Sequence, residues 1–129
     1  MVKSLHPTTI EITTEEHLTE KGDCIVGVGA AKGCSQLSET LKTALRSEKA
    51  RVKIRLLVGN ESFELTAEGD EGLELSHPHD IVIRKSRFTS GRTLAVGASA
   101  AAKDIPRSIV SKLMKTETVG VLEIEVRDT

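Results

Sequence analysis

Aromatic residues are almost absent from this chain: two Phe, no Tyr and no Trp occur in 129 residues. Proteins that stack single-stranded bases, or that enclose cationic ligands in aromatic cages, rely on exposed rings. The composition therefore argues against both classes. The chain also lacks an excess of one charge, since 18 Lys and Arg against 19 Asp and Glu leave a formal net charge of -1. A generally basic protein held to nucleic acid by bulk charge is excluded.

Cysteine is scarce, and long apolar runs are missing. Cys24 and Cys34 form no Cys-x-x-Cys pair, and no second pair exists that could complete a zinc site. No run approaches the ~18 apolar residues of a membrane span, and the first residues contain no apolar segment of signal-peptide length. These absences predict a cytoplasmic protein with reduced thiols and no membrane partner.

Length and composition predict one domain over residues 1–129. Hydrophobic residues make up 38% and charged residues 29% of the chain, which is typical of a soluble globular protein. Alternating or short apolar runs predict strands at 8–14, 24–29, 51–56, 63–67, 73–83, 93–98 and 119–126. Helical spacing predicts two helices, one from Ser35 to Lys49 with Ser35 as its N-cap, and one capped by Asp104.

The order of these elements repeats along the chain. Placing Val28–Ala30 on Val96–Ala98 aligns the sequence with itself at an offset of 68, without a gap to the end of the last strand. This pattern predicts an internal duplication of β-β-α-β halves, about 6–58 and 77–126, joined by a hairpin insertion at 59–76. The alternative is that any two segments with this order of elements look alike.

The predicted fold class is α+β, mostly β, in which the two halves form a small β-barrel-like domain with two helices. The tract that contains Gly22 and Asp23 looks like the Gly-Asp turn of cradle-loop and double-psi barrels. In such a turn the Gly permits a tight bend and the Asp binds neighbouring backbone amides. The second half has Gly91 and Arg92 at the matching place. The competing architecture is a flat sheet with two helices on one face.

Two tracts carry a resemblance to a known family. The tract from Leu75 to Ser86 contains a Ser-His-Pro-His-Asp string followed by Arg-Lys-Ser, and a second tract runs from Gly22 to Val28. Together with the His-Pro opening at His6, they resemble the archaeal family known as domain of unknown function 371 over nearly the whole chain. The resemblance implies an archaeal, cytoplasmic protein without an established activity, and it transfers no catalytic residue.

The segment from His77 to Arg92 is the richest in residues that carry chemistry. On an extended strand His77 and His79 point the same way, a spacing that can chelate a metal, and His6 could complete a three-imidazole site. The same two histidines, with Asp80 as the orienting carboxylate, are candidates for general acid–base catalysis. The alternative is that these histidines are structural or solvated, and that the chain holds no metal and no cofactor.

Charge is segregated along the chain although its total is balanced. The densest group of cations is Arg84, Lys85, Arg87 and Arg92, and a second group on one strand face is Arg51, Lys53 and Arg55. Lys32 precedes a predicted helix whose N-terminus could hold a simple anion. The segment 61–74 carries only acidic charges. Such segregation indicates either an anion-binding face or cross-strand ion pairs on a solvated sheet.

The leading hypothesis for function is a binding module for RNA or another phosphate-bearing partner, contacted through the densest group of cations. One alternative is a small enzyme or metal-binding protein built on the histidine tract. The other is a structural subunit whose exposed strand edge forms a homodimer.

The glycine-rich turn from Gly27 to Gly33 lies between a predicted strand and a predicted helix. It is one residue longer than a dinucleotide-binding turn, and the following strand ends without the acid that such a site needs. Cys34 comes next, and a helix dipole could lower the pKa of its thiol. The alternative is a small apolar filler that matches Ala102 in the second half.

Overall fold

The structure, a computed structural model, describes residues 8–13, 25–27, 34–113 and 120–128. The strands are β1 (Thr9–Thr13), β2 (Ile25–Gly27), β3 (Ala50–Val58), β4 (Glu61–Glu68), β5 (Asp80–Arg84), β6 (Thr93–Ala95) and β7 (Gly120–Asp128). The helices are α1 (Glu39–Leu45) and α2 (Arg107–Leu113), which follow short 3-10 turns at Cys34–Gln36 and Ala102–Asp104. A mostly β fold with two helices is therefore confirmed.

The strands form two small sheets. The four-stranded sheet has the order β2-β1-β5-β6, in which β1 and β5 are antiparallel and each outer strand runs parallel to its neighbour. The three-stranded sheet has the order β4-β3-β7 and is antiparallel throughout. An isolated bridge between Glu68 and Val96 connects the end of β4 to the residue after β6.

Neither sheet closes into a barrel within the described ranges, so the predicted barrel is not confirmed. The reason lies in the hairpin formed by β3 and β4. Its returning strand, β4, pairs with β3 along its whole length, from Val58 opposite Glu61 to Arg51 opposite Glu68. Since β7 pairs with its other edge, β3 offers no free edge to the four-stranded sheet. The described strands form two sheets and not the single flat sheet of the competing architecture.

The hairpin turn itself agrees with the sequence. Gly59 and Asn60 join β3 to β4, and Gly59 has φ +61°, in the left-handed region that glycine adopts without steric cost. The strand predicted to begin at Leu73 is absent, because 69–79 contains no regular structure and β5 begins only at Asp80. Leu75 is buried with φ +52°, which interrupts an extended strand. The alternation of Leu73 and Leu75 therefore reports burial rather than strand pairing.

Buried aliphatic residues of both sheets and both helices form the hydrophobic core. On β3 the aliphatic residues Val52, Ile54 and Leu56 are buried and their charged neighbours face outward, as the alternation predicts. Helix α1 begins later than predicted: the N-cap is Ser38, whose Oγ accepts the N–H of Leu41 at 3.2 Å, because the preceding residues form a 3-10 turn. Neither helix in the described part of the chain is long and apolar enough to span a membrane.

Candidate functional site

His77 holds together the turn that leads into β5. Its Nδ1 accepts the backbone N–H groups of His79 at 3.1 Å and of Asp80 at 2.9 Å. Its own backbone N–H donates to the carbonyl of Gly91, and its carbonyl accepts the N–H of Ser35. An imidazole nitrogen that accepts two N–H bonds has its lone pair engaged, so the ring proton of neutral His77 resides on Nε2. The side chain therefore acts as a cap for this turn.

This bonding bears on the metal hypothesis for His6, His77 and His79. The engaged Nδ1 of His77 offers no lone pair to a metal, and its Nε2 lies 3.8 Å from Oδ2 of Asp80. The rings of His77 and His79 are 6.2 Å apart between centroids, at an angle of 70°. His6 lies outside the described residues. Among the residues that the structure does describe, no group of three His, Cys, Asp or Glu is placed to hold a metal ion.

Arg92 joins two buried carboxylates, of which only one belongs to a predicted site. Its Nη1 lies 3.2 Å from Oδ2 of Asp80 and 3.4 Å from Oε1 of Glu11. The Asp80 and Glu11 side chains are 15% and 10% exposed, whereas that of Arg92 is 42% exposed. Sequence reasoning missed Glu11, because it alternates with Ile10 and Ile12 along β1 and such alternation predicts a solvent-facing side chain. The pairing of Thr13 with Asp80 and of Glu11 with Val82 puts both acids on one face.

Cys34 packs against the same cluster as a free thiol. Its Sγ donates to the carbonyl of Arg92 at 3.3 Å. The pKa of the Cys34 thiol is raised to about 12, chiefly by burial and also by the negative charge of Asp80, while Lys42 opposes the effect. The lowered pKa that a helix dipole could have produced is therefore not found, because the side chain is fully buried. Cys34 serves as a small apolar filler; Cys24 lies outside the described residues.

The cluster of His77, Asp80, Arg92 and Glu11 connects three parts of the chain. Asp80 directs its charge at Arg92, and its 3.8 Å separation from Nε2 of His77 exceeds a hydrogen bond. Through these contacts the turn at His77 is linked to β1 and to the turn before β6. The arrangement stabilises the fold; the assignment of His77, His79 and Asp80 as catalytic residues remains a sequence prediction that no contact here supports.

The cations of the basic tract point to different partners. Arg87 hydrogen-bonds to Glu68, and its Nη2 lies 3.8 Å from Asp70. The carboxylate of Glu68 raises the pKa of Arg87, and Arg87 in turn lowers the pKa of Glu68. Lys85 lies 3.8 Å from Asp104. Arg87 lies on the loop after β5, so its pair with Glu68 joins a loop to the end of β4 and is not one of the cross-strand ion pairs considered for these residues. Lys32, the remaining candidate for anion binding, lies outside the described residues.

Phe88 is a candidate for binding that the low count of aromatic residues led the sequence analysis to overlook. Its side chain stands between Arg87 and Arg92 in sequence and is 61% exposed. The guanidinium carbon of Arg84 lies 4.9 Å from the ring centroid, a cation–π contact. A count of two Phe argued against stacking platforms, but a platform needs only one ring in the right place. The sequence signal that could have identified Phe88 is its position inside the densest run of cations.

Comparison with known proteins shows a matching family and a similar protein. The family described as Domain of unknown function (DUF371) matches residues 1–127. The chain belongs to this family. An uncharacterised protein of Methanocaldococcus jannaschii is 43% identical over 112 residues, which cover 87% of this chain and 82% of the relative. The resemblance seen in the tract from Leu75 to Ser86 is therefore confirmed. The description of DUF371 assigns no activity, so function has to be argued from the geometry.

Proposed function

We propose that the protein binds single-stranded RNA through Arg84, Lys85, Arg87 and Phe88, which we call the Phe88 surface. The observation that carries the proposal is the exposure of Phe88 beside the guanidinium of Arg84. The ring lies on a loop between β5 and β6, and loops held by a rigid sheet are where binding residues concentrate.

Stacking supplies the first part of the affinity. A base that stacks on an aromatic side chain contributes roughly 1–3 kcal/mol, whatever its identity. Arg84 is held in place by a 2.9 Å hydrogen bond from its Nε to Oγ1 of Thr93. The guanidinium is therefore positioned before the partner arrives, which lowers the entropic cost of binding.

Phosphate contacts supply the second part. The side chain of Arg87 is 54% exposed and that of Glu68 is 36% exposed. Lys85 and Asp104 are 35% and 38% exposed. Ion pairs at such exposure contribute little to stability, because water screens the charges. Phosphates can therefore replace these carboxylates. Arg92 is not included in the surface, because its guanidinium is directed at the buried acids Glu11 and Asp80.

The test separates stacking from charge. In the variant Phe88→Leu we expect affinity for a mixed-sequence RNA of roughly 12 nucleotides to fall roughly tenfold with an unchanged salt dependence. In Arg84→Gln combined with Arg87→Gln, we expect the slope of log K against log salt to fall by about 0.7 for each cation removed. Fluorescence anisotropy at about 50 and 200 mM salt measures both quantities.

Arg55→Gln is the matched control, because Arg55 lies on the other sheet between Glu64 and Glu123. This variant should bind RNA as the unmodified protein does. If the unmodified protein binds no RNA even at the lower salt concentration, the proposal is wrong. The same conclusion follows if Phe88→Leu binds as tightly as the unmodified chain.

We also infer that the chain consists of two homologous halves. The 3-10 turns at Cys34–Gln36 and Ala102–Asp104 follow the offset of 68, and so do α1 and α2. In each half the first two strands are parallel, with one register shift. Arg55 and Glu123, which the offset makes equivalent, face each other in the β3–β7 ladder, as a twofold axis through this pair requires. An experimental structure of the Methanocaldococcus jannaschii relative in which segments equivalent to 34–58 and 102–126 do not overlay would contradict the inference.

A further inference from the structure

We propose that the outer face of the three-stranded sheet contains a site for a small phosphate-type oxyanion, formed by Arg51, Lys53 and Arg127. We call it the sheet pocket. It adjoins the Phe88 surface at Glu68, which hydrogen-bonds to Arg87, but its three cations are not part of that surface. Three observations support it: the register of the sheet, the distribution of its charges and an open pocket at the same place.

The register places charged side chains in rows across the outer face. In the first row Arg51 lies between Glu68 on β4 and Arg127 on β7. In the second row Lys53 lies between Thr66 and Glu125. Side chains that face each other across a ladder lie on the same side of the sheet, about 5 Å apart at Cβ. The three cations are therefore neighbours at one end of this face.

The third row shows what a balanced arrangement looks like. Arg55 lies between Glu64 and Glu123, and its guanidinium reaches Oε1 of Glu64 at 3.0 Å and Oε1 of Glu123 at 3.4 Å. A cation with a carboxylate on each side is compensated by ion pairs within the sheet. The first row, in contrast, places two guanidinium groups opposite each other.

The charges of the first two rows are incompletely matched. Like charges directly opposite on a sheet are destabilising, and Arg51 faces Arg127. The nearby carboxylates are engaged: Glu68 hydrogen-bonds to Arg87, and Glu125 accepts from Arg127 at 3.2 Å. Arg51 keeps only a 3.8 Å contact with Glu68.

Lys53 adds to this imbalance. Within the described ranges Lys53 makes no ion pair, although Glu125 lies opposite it. A bound anion would contact two guanidinium groups and one ammonium group, and it would offset the repulsion between Arg51 and Arg127. The excess of positive charge therefore favours an anion as the ligand.

An open pocket of about 390 Å³ lies at this end of the sheet. Its lining includes Thr66, Gly97, the three cations and the two acids Glu68 and Glu125, so that the cations outnumber the acids by one. Pockets of roughly 300–1,000 Å³ hold small ligands. Guanidinium groups present planar pairs of N–H donors that match phosphate oxygens, and an ammonium group adds a point charge. The chemistry favours a phosphate or phosphomonoester over a planar apolar ligand.

The experiment uses inorganic phosphate and the full chain. Backbone amide shifts of Arg51, Thr66 and Gly97 should move in a saturable manner during an NMR titration with phosphate, at ionic strength held constant with sodium chloride. In Arg51→Gln and, separately, in Arg127→Gln, the affinity for phosphate should fall about tenfold, because each variant removes one forked donor.

Two further variants keep the test specific. Arg55→Gln removes a cation from the same strand face but outside the sheet pocket, and it should leave the phosphate affinity unchanged. Phe88→Leu should also leave it unchanged, which distinguishes this site from the Phe88 surface. The proposal is overturned if phosphate causes no saturable shift at constant ionic strength, if Arg51→Gln and Arg127→Gln bind phosphate as the unmodified chain does, or if Arg55→Gln weakens binding equally.

Discussion

Replacing Gly69 with Ala should reduce the free energy of unfolding by about 3 kcal/mol, because the added methyl group has no space. A Cβ at this position would meet the backbone carbonyl oxygen of Leu45 and would lie 2.6 Å from that of Ser47 and 2.9 Å from Cβ of Ala50. These are mostly backbone atoms at the end of α1 and the start of β3, so relief requires the two elements to separate. The N–H of Gly69 also donates to the carbonyl of Ala50 at 3.2 Å. Thermal and urea unfolding would measure the loss.

Gly72→Ala is the control for that substitution. A Cβ at Gly72 would lie 3.1 Å from Oδ1 of Asp70 and 3.6 Å from Oγ1 of Thr89, both of which are side-chain atoms that can move. We expect its unfolding free energy to stay within about 0.5 kcal/mol of the original. Equal stability of the two variants would show that the close approach at Gly69 is not structurally required.

Replacing Arg92 with Met should destabilise the protein by about 2 kcal/mol. The change removes the guanidinium that Asp80 and Glu11 share, and both acids are largely buried. Taking a partner away from a buried charge costs far more than breaking an exposed pair, because the charge keeps its desolvation penalty. Urea unfolding at neutral pH would measure the effect.

Arg55→Met provides a closely matched comparison. The side chains of Arg55 and Arg92 are each 42% exposed, and each arginine lies between two carboxylates. The partners differ in burial, since Glu64 and Glu123 are 46% and 51% exposed. Arg55→Met should therefore be much less destabilising than Arg92→Met. Equal losses of stability would mean that burial of the acids is not what gives Arg92 its importance.

Local patterns predicted the elements more reliably than their assembly. The alternation on β3, the Gly59–Asn60 turn and the existence of two helices depend on side chains close in sequence, and each is confirmed. The helix limits were less accurate, because a 3-10 turn before Ser38 competes with the α-helix. Closure into a barrel depends on which strand occupies a distant edge, and no local pattern carries that information.

For the candidate site, too, the sequence predicted the residues that are close along the chain but not those that the fold brings together. The sequence placed His77, Asp80 and Arg92 in one segment, and the structure brings them together. Glu11 joins them from β1 only because β1 pairs with β5. The thiol of Cys34 also follows this division: its place before a helix suggested a lowered pKa, but burial produces the opposite shift.

By itself, the sequence determined the mostly β character, the core residues of β3, the hairpin turn at Gly59 and Asn60, and the family. Each follows from periodicity, turn chemistry or a continuous motif. The tertiary structure alone decided that β4 takes the free edge of β3, that Arg92 faces inward to two acids, and that Arg51 faces Arg127. The physical reason is that desolvation and charge pairing depend on distances between residues far apart in the chain, and only strand register sets those distances.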